Sequence, residues 1–205
     1  MGEAQETELL VGRELLLDVA CRLFMEHGFD GVSMQQIATA AHMTKGSPYY
    51  HFKGKEDLFT CALVARVDQV NAGFVRSLAL PGTLRERLVT AFTHILATTD
   101  PGMIRMLEDF QRLMGAECTI DRPGFEPTPE VMRRAYLEVF ATAEIPLRLP
   151  AGAIADALIA MQLGTLHMQV LQPSRRREPL SKNEIGVIAE TTTDLFLEGA
   201  LLRGG

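Results

Sequence analysis

Apolar residues along the chain recur three and four positions apart and almost never alternate, a period that predicts helices throughout. Between residues 13 and 27, Leu16, Ala20, Leu23, Phe24 and His27 share one helical face. Gly28 and Gly31 then punctuate a turn. Ser33 opens a second helix through a capping box, with Gln36 three residues on, and Met34, Ile37, Ala38 and Ala41 follow at i, i+3, i+4 and i+7. A third, short helix is expected from Lys45 to Phe52, capped by Thr44. A fourth should run from about Lys55 to Ser77, with Glu56 and Asp57 well placed in its first turn. At 1.5 Å per residue it would be roughly 35 Å long, enough to link two domains.

The remaining punctuation is as clear. Thr83 to Glu86 is a second capping box, starting a helix over about 84–98. Asp100-Pro101 supplies a cap and a first-position proline for a helix to about 115. Residues 117–127, with Pro123, Gly124 and Pro127, read as a loop. Thr128-Pro129 repeats the cap-and-proline signal for a helix ending before Pro146. Residues 151–171 and 182–203 make the last two helices. Between them lies the basic loop QPSRRREPLS, closing in the capping box Ser181 to Glu184. The fold class is all-α, with about nine helices and no sheet, and no internal repeat is evident.

The stretch HMTKGSPYYHFKGKED does not fit a core element. On a helical wheel Pro48 and Phe52 form a narrow apolar side. Gly46, Ser47, Tyr50 and His51 cover the opposite side, with Lys45 and Tyr49 on the shoulder. A two-turn helix is marginal alone and must borrow stability from packing. What remains is a cation, a glycine, a hydroxyl, two phenols and an imidazole. Such groups suit phosphates and base edges. The helix before it ends about three residues earlier, which is helix-turn-helix spacing.

Charge sharpens this picture. The net charge is −6 with a pI near 5.4, which argues against polyanion binding by the whole surface. Residues 1–60 hold five Lys/Arg against nine Asp/Glu, yet Lys45, Lys53 and Lys55 gather within eleven residues. A nucleic-acid site must be local, and this is where it would be. The three cysteines, Cys21, Cys61 and Cys118, are odd in number and widely spaced, so neither a disulfide framework nor a zinc site is suggested. Cys21 and Cys61 read as small buried residues. No cofactor and no metal are indicated. No run of about eighteen apolar residues suggests a membrane span, and the acidic start MGEAQETELLVGRE is unlike a secretory signal. A cytoplasmic location is expected.

Residues 13–59 strongly resemble the DNA-binding domain of the TetR family of transcriptional regulators. The matching pieces are RELLLDVACRLFMEHGFDGVSM, QQIATAAHMTKG and SPYYHFKGKEDLF. The resemblance implies a three-helix, helix-turn-helix DNA-binding domain over residues 1–54. It implies a helical ligand-sensing and dimerisation domain over 55–205. Lys45, Gly46, Ser47 and Tyr49 would approach bases in the major groove. Ser33, Thr44, Tyr50, His51 and Lys55 would hold phosphates, while Pro48 and Phe52 seat the recognition helix. Two positions depart from the family pattern. His42 stands where glycine is common in the turn; if φ is positive there, histidine is one of the more tolerated non-glycine types, at some cost. Pro48 stands where a leucine-like residue is frequent.

The family resemblance further implies a homodimer through the last two helices, a double-stranded DNA operator as partner and a small-molecule effector in the C-terminal domain. Small residues, Ala151, Gly152, Ala153, Ala155, Ala157, Ala160 and Gly164, suit close helix approach, though an intramolecular core explains them equally well. Met103, Met106, Phe110 and Met114 form an adaptable apolar stripe at i, i+3, i+7 and i+11. Together with Met161, His94 and His167 they are the candidate ligand contacts, against core packing for the methionines and satisfied histidines for the rest. Arg105, Glu108, Asp109 and Arg112 read as a solvated charge network. Arg175, Arg176 and Arg177 read as a solvated loop.

A helical enzyme is disfavoured: no Glu is followed three residues later by His, and neither a phosphate-binding glycine loop nor a G-x-S-x-G elbow occurs. The expectation is a ligand-responsive regulator, most simply a repressor. The alternative is a helical protein-binding adaptor without DNA binding, which would leave Lys45, Tyr49, Tyr50 and Lys55 without a purpose.

Overall fold

The computed structural model describes residues 2–115, 120, 125–142, 147–168 and 180–200. Among them are nine helices and no strand: α1 (Gly2–His27), α2 (Met34–Ala40), α3 (Ser47–His51), α4 (Lys55–Leu78), α5 (Leu84–Thr98), α6 (Pro101–Met114), α7 (Thr128–Thr142), α8 (Ala151–Leu166) and α9 (Lys182–Ala200). The helix beginnings read from capping boxes are present. Ser33, Thr83 and Ser181 each accept from the backbone N–H three residues on, while the Gln or Glu there accepts the cap's own N–H. Cys118 and Arg175 to Arg177 lie outside the described residues.

Two ends differ from expectation. α1 starts far upstream of residue 13. Leu10 and Val11, the apolar pair just before residue 13, are both more than half exposed, so they mark no buried face for periodicity to reveal. α3 starts later than Lys45, at Ser47, with Gly46 at its N-cap and no side-chain cap bond. Pro48 explains the late start: it has no N–H to give the Thr44 carbonyl, the first i→i−4 bond of a helix from Lys45, and Gly46 has no side chain to cap with. Thr44 instead makes a turn, its carbonyl accepting the Ser47 N–H at 3.0 Å, and its hydroxyl pairs with that of Ser47 at 2.8 Å.

The chain packs as two compact units, Met1–Val67 with Pro101–Pro123, and Asp68–Asp100 with Gly124–Gly205. This division by packing differs from the extents 1–54 and 55–205. The first half of α4 and all of α6 join the N-terminal unit, because their apolar faces are used there. α4 is long and apolar enough to cross a membrane by composition alone, but its apolar residues are spent inside the two units. Leu58, Phe59, Ala62 and Leu63 are buried in the first, and Val70, Phe74 and Leu78 in the second.

In the N-terminal unit, Leu16, Val19, Ala20 and Phe24 of α1 pack with Ile37, Ala38 and an aromatic cluster. Phe24 and Phe29 each meet Phe59 edge-on, at centroid distances of 5.0 and 5.2 Å. In the C-terminal unit the core is continuous across α4, α5, α7, α8 and α9, centred on Phe74, Phe92, Tyr136, Leu158 and Ala189. One polar bond lies within it: the Tyr136 hydroxyl donates to Gln162 Oε1. Burial pushes the Tyr136 phenol well above its ordinary pKa, so it stays a neutral donor.

Candidate nucleic-acid interface

α2 ends in a Schellman turn. The Met43 N–H reaches the Ala38 carbonyl at 2.9 Å and the His42 N–H reaches that of Thr39 at 3.0 Å, satisfying carbonyls the helix end would leave open. The motif needs a left-handed residue, and His42 supplies it with φ of 57°. This is the position where the family favours glycine, and the positive φ gives the reason.

α3 is held from below and bare above. Pro48 and Phe52 are buried, and the Phe52 N–H closes the helix on the Pro48 carbonyl at 2.9 Å. The Arg13 guanidinium of α1 lies 5.2 Å from the Phe52 ring centre. Tyr49 and Tyr50 point outward, 58% and 84% exposed, and Thr44, Lys45 and Gly46 are exposed beside them. Large aromatics this exposed on a folded chain mark a surface kept for a partner.

The other expected contacts are placed less simply. His51 is half-buried, its ring close to Gly12 of α1. Ser33 is exposed, but its hydroxyl hydrogen is already given to Gln36 Oε1 at 2.8 Å. The Lys55 ammonium sits 4.1 Å from the Phe29 ring centre, a cation–π contact that fixes the start of α4 to the α1–α2 turn. Asp57 Oδ2 accepts the Lys53 N–H at 3.0 Å and closes the α3–α4 turn. The Thr44–Ser47 hydroxyl pair retains one free O–H, since each hydroxyl has one hydrogen and only one is shared.

Sequence reasoning missed what holds the α1–α2 turn. Gly28, with φ of 72°, ends α1. The Arg105 guanidinium of α6 donates to the carbonyls of Met25 and Glu26, which the helix end would otherwise leave open. Asp109 Oδ2 accepts the Phe29 N–H at 2.6 Å. Arg112 bridges Asp109 at 2.8 Å and Asp30 at 2.9 Å. Part of the expected charge network exists, as the Asp109–Arg112 pair, but Arg105 and Asp109 are spent on backbone. Their spacing on one face of α6 was visible in sequence; their partners, about eighty residues away, were not.

The candidate ligand contacts are not gathered in one place. Met103, Met106 and Phe110 are buried on α6, which packs with the N-terminal unit, and Met114 is 39% exposed. Met161 packs on the C-terminal core, and His167 is exposed. His94 Nε2 donates to the Val70 carbonyl at 3.1 Å. Its ring lies so close to Gly73 that a Cβ there would fall 2.2 Å from it, so His94 fastens α5 to α4. Cys61 is buried and Cys21 half-buried. Among the described residues no three His, Cys, Asp or Glu side chains gather as a metal would require.

A short helix seated by two apolar residues, presenting phenols, a cation and hydroxyls after a tight turn, defines a helix-turn-helix DNA-binding module of a transcriptional regulator. Residues 16–61 match the profile of bacterial regulatory proteins of the tetR family. The chain belongs to the TetR family of transcriptional regulators. Over 58 residues it is 50% identical to the HTH-type transcriptional regulator AcrR of Shigella flexneri, covering 28% of this chain and 25% of that protein. Over 183 residues it is 28% identical to the HTH-type transcriptional repressor DhaR of a Mycobacterium species, covering 83% and 87%. The fold matches the crystal structure of a Mesorhizobium loti protein assigned to the TetR family, with a TM-score of 0.76 at 20% identity over 95% of this chain and 98% of that one.

Proposed function

We propose that this regulator is a cytoplasmic homodimeric repressor that binds a near-palindromic double-stranded operator and leaves it when a small molecule occupies the C-terminal domain. The observation that carries the DNA half is the α3 surface: Tyr49 and Tyr50 are exposed while Pro48 and Phe52 anchor the helix from below. Lys45, Gly46, Ser47 and Tyr49 read bases. Thr44, Tyr50 and Lys55 hold phosphates, with Ser33 and His51 assisting after local rearrangement.

The dimer is assigned to α8 and α9. On α8 the exposed positions Ala153, Ala157, Ala160 and Gly164 form a small-residue stripe. On α9 Val187 and Leu195 are 57% and 61% exposed. Faces of this kind suit a symmetric helix-to-helix contact. Two copies would place two α3 helices about 34–36 Å apart, the spacing of successive major grooves. Repression follows the name of the Mycobacterium relative. The likeness to a full-length relative and the two-unit packing support an effector-linked equilibrium between two arrangements.

The test is fluorescence anisotropy with duplex DNA from beside the protein's own gene, over a salt series. Wild type should bind with log K falling by about 0.9 per phosphate contact per decade of salt. Tyr49→Ala should weaken sequence-specific binding by about 1–3 kcal/mol and leave binding to scrambled DNA unchanged. If a randomised-duplex selection enriched no palindrome, the protein-binding adaptor would be the remaining reading.

A further inference from the structure

The second half of α4 and the start of α7 border an open cleft of about 420 Å³, within the usual range for small-molecule sites. Asp68, Asn71, Ala72, Val75 and Arg76 line it from one face of α4, with Val131 opposite on α7. Its chemistry is unbalanced. Asn71 is 94% buried by its 6% exposure; its amide N–H donates to the Glu126 carbonyl at 3.3 Å, and its own Oδ1 has no partner. A buried carbonyl oxygen left unpaired is costly, and such a group calls for a donor. One turn away, Asp68 has no ion-pair partner among the described residues, and partial burial raises its carboxyl above the ordinary carboxylate range. Glu126 is already neutralised by Arg134.

We propose that this cleft binds a small organic monoamine, its ammonium donating to Asp68 and Asn71 Oδ1 and its apolar body lying along Ala72, Val75 and Val131. An ammonium carries three donors and a positive charge, so one group answers both open acceptors. Arg76 lines the same cleft two turns along α4 from Asp68. Its guanidinium repels a second positive charge, so a diamine of the same length is rejected. The proposal rests on the effector reading only for its consequence, release from DNA; the site itself stands apart from it.

The test is calorimetric titration of the full chain, without DNA, using n-hexylamine, 1-hexanol and 1,6-diaminohexane. Hexylamine is expected to bind at least tenfold more tightly than either of the others. Asp68→Asn should remove that preference while leaving hexanol unchanged, and Ala72→Trp, at an exposed position, should block all three. Equal binding of hexylamine and hexanol, or no heat at about 10 mM hexylamine, overturns the site. Both variants are checked for unchanged thermal melting. A parallel anisotropy titration separates the two readings: amine binding without DNA release removes the effector role and leaves the site. Release by other compounds with no hexylamine binding removes the site and leaves the effector role.

Discussion

The two units solve the problem of stability in opposite ways. The C-terminal unit buries a continuous apolar core and tolerates within it one polar pair, Tyr136 and Gln162, whose Gln Nε2 has no partner. The N-terminal unit must keep one short helix almost bare for a partner. It compensates with directed bonds at its turns: the Schellman turn at His42, Lys55 over Phe29, and Asp109 on the Phe29 N–H. A reading surface cannot be stabilised by burying it, so the bonds lie beneath and beside it.

That contrast is open to attack by substitution. The largest effect should come from Phe74→Ala, which removes a fully buried ring packed edge-on against Tyr136 at 5.4 Å. A loss of about 3–5 kcal/mol is expected in denaturant melts. A loss under 1 kcal/mol would mean the C-terminal core is not what holds that unit.

Asp109→Ala should cost about 1.5–3 kcal/mol, since it removes a charged acceptor from the N–H of buried Phe29. DNA affinity should fall with it, because the α1–α2 turn positions the helices that follow. Asp109→Asn keeps an acceptor and should recover most of both losses; equal damage from the two variants would point to the Arg112 pair instead.

Tyr136→Phe leaves Gln162 Oε1 buried and unpaired, and should cost about 1–3 kcal/mol. Adding Gln162→Leu should restore most of that, since two apolar groups replace a half-satisfied pair. Additive losses in the double variant would refute the view that the pair is merely tolerated.

The smallest effect tests the N-terminal turn. His42→Gly relieves a left-handed backbone at φ of 57° and should raise stability by about 0.5–1 kcal/mol. His42→Val should lower it by at least as much. Operator affinity in the glycine variant reports whether the histidine side chain itself touches DNA.

How much of this was legible beforehand varies by residue. Ser33, Thr83 and Ser181 announced their helices because a cap and its partner three residues on are local chemistry. Pro48 and Phe52 announced the anchored side of α3 because helical period is local too. Thr44 misled: it looked like the cap of a helix from Lys45, but Pro48 has no N–H to give its carbonyl, which takes the Ser47 N–H in a turn instead. α1 extended unseen through Leu10 and Val11 because an exposed helix leaves no apolar stripe to count.

The helices and most of their ends were legible in the sequence, and so were the exposed phenols of α3, since caps and helical period act within about four residues. Only the tertiary structure decided that α6 joins the N-terminal unit, that Arg105 and Asp109 close a turn eighty residues away, that His94 locks onto Gly73, and that Asn71 is left with an acceptor to spare. Those outcomes depend on which faces meet once the chain has folded, and helical period carries no record of the partner.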